Sequence, residues 1–212
     1  MSPLMSALSF YVDVIRALEE IGAPYMIVGA FAGSVFGVTR VTFDVDILVD
    51  LRDDDFEALA ARFPPPRYYA DPEMMRNSTR LGMMFNLIDG EAGLKADLVP
   101  MTREPGYRVA FERRVRRSFE DDEGRTFSAW YAQPTDIITG KLKAWHEGRS
   151  AKHPADIYAM LVFALSGLSD VVLDIEAIGD AAAALGPDAE ELWQALSRRA
   201  EDEVRRHRNG NG

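Results

Sequence analysis

The segment Val28-Gly29-Ala30-Phe31-Ala32-Gly33-Ser34-Val35-Phe36-Gly37-Val38-Thr39-Arg40-Val41-Thr42-Phe43-Asp44-Val45-Asp46-Ile47-Leu48-Val49 decides the reading of this chain. An apolar strand, Tyr25 to Val28, runs into a Gly-rich turn, and a second strand opens on Asp44 and Asp46. Residues i and i+2 of a strand share a face, so the two carboxylates can converge on one point. A Gly-rich turn leading into a helix offers backbone N–H groups to phosphate. Carboxylates beside such a turn point to metal-assisted chemistry on a nucleotide.

Working outward, residues from about Ser9 to Ile21 carry Tyr11, Val14, Ile15, Leu18 and Ile21 at helical spacing, with Gly22 as the stop. The spacing predicts a short helix over Ala30 to Phe36, and a helix over Asp53 to Phe63 that opens on acids and ends at the prolines 64 to 66. Met74 to Arg80 reads as weakly helical. Met83 to Ile88 and Leu94 to Val99 read as strands joined at Asp89-Gly90, and Val115 to Phe119 with Thr126 to Tyr131 as a second pair turning around Asp122-Glu123-Gly124. From Pro134 onward the pattern becomes helical, over 134–147, 154–166, 172–184 and 188–207, and the Asn-Gly-Asn-Gly end reads as disordered.

Composition narrows the classes. Forty-seven per cent of the 212 residues are apolar, enough for a sizeable core, yet no apolar run reaches the roughly 18–20 residues of a membrane span. No signal peptide is visible, and the absence of cysteine excludes disulfides and thiolate–metal sites. His146, His153 and His207 form no compact zinc spacing. A cytoplasmic protein without a membrane partner is the expectation. The net charge of −10 argues against a generic nucleic-acid coat protein, but it is unevenly spread. Ten acids face two arginines between Asp170 and Glu203, whereas six arginines face two acids between Arg103 and Arg117.

Nucleotidyl transfer uses two Mg²⁺ ions about 3.5–4 Å apart on hard oxygen ligands. Two aspartates on one strand and a third on a neighbouring strand meet that need. Asp97, alone among apolar residues in Leu94-Lys95-Ala96-Asp97-Leu98-Val99, is the natural third. Taken alone, an Asp-x-Asp at a strand start serves as readily for turn capping. The context adds to it. Gly29, Ala32, Gly37, Arg40, Thr42, Asp44 and Asp46 fall at the spacing by which the segment resembles the nucleotidyltransferase superfamily of DNA polymerase β and the aminoglycoside nucleotidyltransferases. Within it, the chain looks most similar to the bacterial AbiEii-type toxin branch, over about Tyr25 to Leu161.

The resemblance implies an α+β (α/β) nucleotidyltransferase fold: a mixed β-sheet flanked by helices over residues 1–132, a C-terminal helical region over 133–208, and a disordered tail over 209–212. It implies two Mg²⁺ ions, or Mn²⁺, on Asp44, Asp46 and Asp97. It implies an NTP whose phosphates meet Gly29, Ala30, Ser34, Arg40 and Lys141. Ala30 departs from the family's second glycine, which sets a methyl where phosphate or sugar would approach. Gly33-Ser34 offers a rival register for the turn, and Ser34 otherwise reads as a helix-surface hydroxyl. Arg40 reads either as a triphosphate contact or as a surface arginine, and Thr42 as an orienter of Asp44 or as a β-favouring residue.

Lys141 follows Ile137 and Ile138 and precedes Trp145 on the inward stripe of its helix, where a lysine either snorkels or meets an anion. The family carries a triphosphate-binding lysine in the matching Pro-x-Asp-Ile-Ile-x-x-Lys-Leu segment. Asp156 lies near the start of its helix, where it suits the N-terminal dipole; the resemblance makes it an active-site residue instead, with His153 departing from the pattern. The resemblance therefore assigns the catalytic set Asp44, Asp46, Asp97, Lys141 and Asp156. Arg113, Arg114, Arg116 and Arg117 alternate around Val115 as a charged strand edge or as phosphate contacts for RNA. The implied activity is NMP transfer to a hydroxyl on a tRNA end, a protein or a small molecule, with a cognate antitoxin as partner. The rivals are a non-catalytic binder on the same fold and an aminoglycoside-type transferase with an acidic acceptor cleft.

Overall fold

A computed structural model describes residues 3–39, 44–103, 106–120, 126–167 and 169–210. The chain divides into two compact units. One comprises residues 1–31 and 41–132, the other 32–40 and 133–212.

The first unit is built on a seven-stranded mixed sheet. Its strands are β1 (Tyr25–Val28), β2 (Asp44–Val49), β3 (Tyr68–Tyr69), β4 (Phe85–Asp89), β5 (Leu94–Pro100), β6 (Val115–Glu120) and β7 (Thr126–Tyr131). Across the sheet the order is β3-β4-β5-β2-β1-β7-β6. β2 lies parallel to β5 and antiparallel to β1, and β1 meets β7 in parallel. On one face Val45, Ile47 and Val49 line up with Ala96 and Leu98 of β5 and with Phe85 and Leu87 of β4, all buried. The alternation that buries this face sends Asp44, Asp46 and Asp97 to the other.

Helix α1 (Pro3–Glu20) buries Tyr11, Val14, Ile15 and Leu18 of the predicted stripe, while Ile21 lies past its end and is partly exposed. It closes in a Schellman turn: Gly22 adopts φ +69°, its N–H bonds the Glu19 carbonyl, and the Ala23 N–H bonds that of Leu18. α2 (Gly29–Ser34) starts directly on β1, is shorter than predicted, and carries the division between the units. α3 (Asp53–Arg62) opens on three acids, and the Asp55 carboxylate accepts the Arg52 N–H at 2.8 Å. α4 (Pro72–Arg80) is a full helix capped by Asp71, which accepts the Met74 N–H at 2.8 Å. The hairpin between β4 and β5 turns over residues 90–93. There Asp89 accepts the N–H groups of Glu91 and Ala92, and Arg67 donates to it at 2.7 Å. α5 (Tyr107–Glu112), β3 and a 3-10 turn over Met101–Arg103 were not predicted.

The second unit contains α6 (Pro134–Gly148), α7 (Lys152–Leu165), α8 (Ile175–Leu185) and α9 (Pro187–Gly210). Their apolar faces bury Ile138, Leu142, Ile157, Leu161, Ile178 and Ala182. α9 reaches Gly210, so the backbone stays helical two residues into the expected tail, and residues 211–212 lie outside the described residues. The predicted turn at Asp122-Glu123-Gly124 also lies outside them. No described helix is long and apolar enough to cross a membrane.

Candidate active site

The register between β2 and β5 builds the candidate site. Asp44 stands opposite Lys95 and Asp46 opposite Asp97, so four charged side chains form a two-by-two block on one face of the sheet. In-register neighbours on adjacent strands lie close enough for their side chains to interact directly. On the far side of β5, Asn86 of β4 stands opposite Asp97 and donates its amide to Asp97 Oδ1 at 2.5 Å. The Lys95 ammonium donates to both Asp97 oxygens, at 2.9 and 3.1 Å, and pairs with Asp44 Oδ1 at 3.7 Å.

Exposure grades the block. The Asp97 side chain is 9% exposed, whereas those of Lys95 and Asp44 are 46% and 57% exposed. The hydrogen bond to Asp97 raises the Lys95 ammonium above its ordinary pKa; partial burial opposes this, and the charges of Asp97 and Asp44 reinforce it. The field reaches α1, where burial first, then the negative charges of Asp44 and Asp97, push the Tyr11 phenol up to about 12. Tyr11 itself packs edge-on against Phe31, ring centroids 5.7 Å apart.

Gly29 is fixed by its neighbours. It adopts φ +70°, and a Cβ there would overlap Oδ2 of Asp46. Only glycine lets β1 end where the Asp46 carboxylate comes in. Gly33, the glycine of the rival register, is instead buried within α2, and its carbonyl accepts the N–H groups of Phe36 and Val38. Ala30 follows Gly29 in α2, and Ser34 is exposed at its end. Arg40 and Thr42 lie outside the described residues.

Lys141 and Asp156 belong to the second unit and pair with each other. Nζ of Lys141 on α6 donates to Oδ2 of Asp156 on α7 at 2.6 Å, with side chains only 6% and 2% exposed. α7 starts at Lys152, two residues before the predicted start, which carries Asp156 past the first turn and aims it at the lysine. The inward lysine thus meets an anion, a neighbouring helix's carboxylate. The arginines of β6 and its approach also have partners. Arg114 lies over Phe111 and Trp130, its centre 4.3 and 4.9 Å from the ring centroids, while Arg116 lies over Trp130 and pairs with Glu19 at 3.5 Å. Trp130 stands opposite Arg116 in the hairpin register, so an aromatic does interleave with the cluster in space.

Two residues that hold Asp97, Lys95 and Asn86, were missed from sequence. Lys95 precedes Asp97 by two, the same spacing that joined Asp44 to Asp46. Asn86 follows from the hairpin register once Asp89 is paired with Leu94. Among the described residues no three His, Cys, Asp or Glu side chains stand close enough to hold a metal together. The donor set nevertheless fits a hard divalent ion: it is all carboxylate oxygen, and a cation, the Lys95 ammonium, already sits between Asp44 and Asp97.

No family model matches the chain, and no curated protein matches it in sequence. Solved structures do. The antigenic nucleotidyltransferase-like protein from Paracoccidioides brasiliensis superposes with a TM-score of 0.50 at 14% identity, over 91% of this chain and 92% of that one. The antibiotic-resistance factor ANT(2'')-Ia gives 0.43 at 16% identity, over 97% of each chain. The protein JHP933 from Helicobacter pylori gives 0.45 at 12% identity, over 99% of this chain and 97% of that one. The seven-stranded mixed sheet and its helices give this chain a nucleotidyltransferase-like fold.

Proposed function

We propose that this chain is a divalent-metal-dependent nucleotidyltransferase, which moves an NMP from an NTP to a hydroxyl acceptor and releases pyrophosphate. One observation carries the reading: on a nucleotidyltransferase-like fold, the register sets Asp46 beside Asp97 and leaves Asp44 on the same face, largely in water. Asp44, Asp46 and Asp97 would hold Mg²⁺ or Mn²⁺, which supplies charge stabilisation to the phosphates and to the attacking and leaving oxygens.

The chain's own residues do the rest. Asp97 is held in one orientation by the Asn86 amide, and so is set to take the proton of the acceptor hydroxyl. The hydroxyl oxygen bonds to the α-phosphorus as the bond from that phosphorus to the bridging oxygen breaks, and pyrophosphate carries the electron pair away. Gly29 keeps the approach to Asp46 clear, and the backbone at Gly29 and Ala30 is the phosphate-side turn. Alignment and fixed charge account for most of such a rate enhancement.

The motif spacing from Gly29 to Asp46 favours the AbiEii-type toxin branch, hence a tRNA or protein acceptor, a cognate antitoxin and a cytoplasmic setting. The rival, a non-catalytic binder on this fold, draws on one observation: the Lys95 ammonium already satisfies Asp97. Pyrophosphate release separates the two. The protein is incubated with Mg²⁺, each NTP in turn, and fractionated cellular RNA or protein. Release by the wild type that is lost in Asp44→Ala/Asp46→Ala supports transfer, and release by neither protein supports the binder.

A further inference from the structure

We propose that Lys95 is a tethered counter-ion that holds the place of a divalent cation in the carboxylate block and must leave it before the metal enters. This rests on the reading of Asp44, Asp46 and Asp97 as metal ligands. The geometry is specific. Lys95 is aligned with Asp44 across the parallel β2–β5 pair and lies two residues before Asp97, so its ammonium reaches oxygens of both strands. It spans Asp97 at 2.9 and 3.1 Å and Asp44 at 3.7 Å. Asp44 and Asp97 are two of the three carboxylates that would hold Mg²⁺ or Mn²⁺. An ammonium and a dication cannot share them, because two cations would then stand within a few ångströms of each other.

The two ends of the contact differ in freedom. Asp97 is nearly buried and fixed by Asn86, whereas the Lys95 side chain is half in water on a flexible four-carbon stem. Exchange therefore moves the lysine and leaves the carboxylate in place. An ammonium displaced by the metal stays beside the block, where the nearest new anion is the triphosphate of the incoming nucleotide. Lys95 thus has two states: a counter-ion for carboxylates in the metal-free chain, and a phosphate contact once metal and nucleotide arrive. The consequence is that metal binding without nucleotide is weakened, and nucleotide and metal load together.

The test uses the full-length protein and Mn²⁺ without nucleotide, with free ion followed by electron paramagnetic resonance. Lys95→Met should bind Mn²⁺ about tenfold tighter than wild type, since a positive competitor is gone, and Lys95→Arg should stay near wild type. Equal or weaker binding by Lys95→Met, alongside metal-dependent loss of binding in Asp44→Ala/Asp46→Ala, overturns the role of Lys95 alone. No binding by wild type or Lys95→Met above that carboxylate variant overturns the metal reading and this proposal with it. A second readout needs no variant: saturating Mg²⁺ should raise acylation of Lys95 by an amine-reactive ester several-fold, measured by peptide mass spectrometry. Unchanged labelling contradicts displacement.

Discussion

Each unit of this molecule contains a lysine–aspartate contact, and the two are opposites. In the first, Lys95 meets Asp97 at 2.9 Å, with the lysine side chain 46% exposed and a second aspartate nearby. In the second, Lys141 on α6 meets Asp156 on α7 at 2.6 Å, and both side chains are buried. Water reaches the ammonium in the first contact, so the lysine end exchanges readily. Both partners are out of water in the second, so removing either charge is costly. Identical chemistry thus yields an open, exchangeable cation place in one unit and a fixed internal tie in the other.

The largest effect should come from breaking the buried contact. Asp156→Ala takes the carboxylate away from a buried ammonium and should lower the unfolding free energy by about 3–5 kcal/mol in urea titrations. Lys141→Met/Asp156→Leu, which removes both charges, should recover most of that loss. A double variant no more stable than the single one would break the comparison. Nucleotide affinity of the recovered double variant then reports any binding role of Lys141 apart from its structural one.

Removing the open carboxylates should do the reverse. Asp44→Ala/Asp46→Ala should lower transfer by about 10²–10³-fold, roughly 3–4 kcal/mol of barrier, while unfolding stays within about 1 kcal/mol of wild type. Comparable losses of stability and activity would mean that the block is structural after all.

Asp89 is the intermediate case: a buried carboxylate held by a half-exposed arginine. Burial pushes its pKa up, but the Arg67 hydrogen bond and the N–H groups of Ala92 and Glu91 outweigh this and hold it below the ordinary 3.8. Its folded value lies below its unfolded one, so its contribution is complete above about pH 4–5 and is lost as pH falls through the folded value. Asp89→Ala should cost about 1–3 kcal/mol at pH 7, and the gap from wild type should close toward pH 2. A gap constant over that range would contradict the assignment. The smallest effect on stability, under about 1 kcal/mol, is expected for Lys95→Met, read from the same urea titrations.

Local pattern made much of this legible. The apolar run ending at Gly29, the Asp44/Asp46 spacing and the hairpin into Asp97 are short-range features, and each places a residue on a strand face without knowledge of the rest. What pattern did not reveal depends on contacts between elements distant in sequence. The parallel register of β2 with β5 brings Lys95 to Asp44, and the packing of α7 on α6 brings Asp156 to Lys141. Neither offset is encoded by periodicity within one element. The close approach of Asp46 to Gly29 likewise needs the antiparallel β1–β2 pair, which aligns Val28 with Asp46. α5 escaped because six residues in an arginine-rich stretch give too short a helical pattern, and β3 because two residues give none.

The central claim is that the open block serves transfer at the α-phosphorus. Its most direct test follows the label position, with parallel reactions containing NTP labelled at the α- or the γ-phosphorus, Mg²⁺, and the acceptor fraction that supports pyrophosphate release. The account predicts that wild type transfers the α-label and never the γ-label to acceptor, and that Asp44→Ala/Asp46→Ala transfers neither at a comparable rate. Transfer of the γ-label, or α-label transfer undiminished in the carboxylate variant, would contradict it.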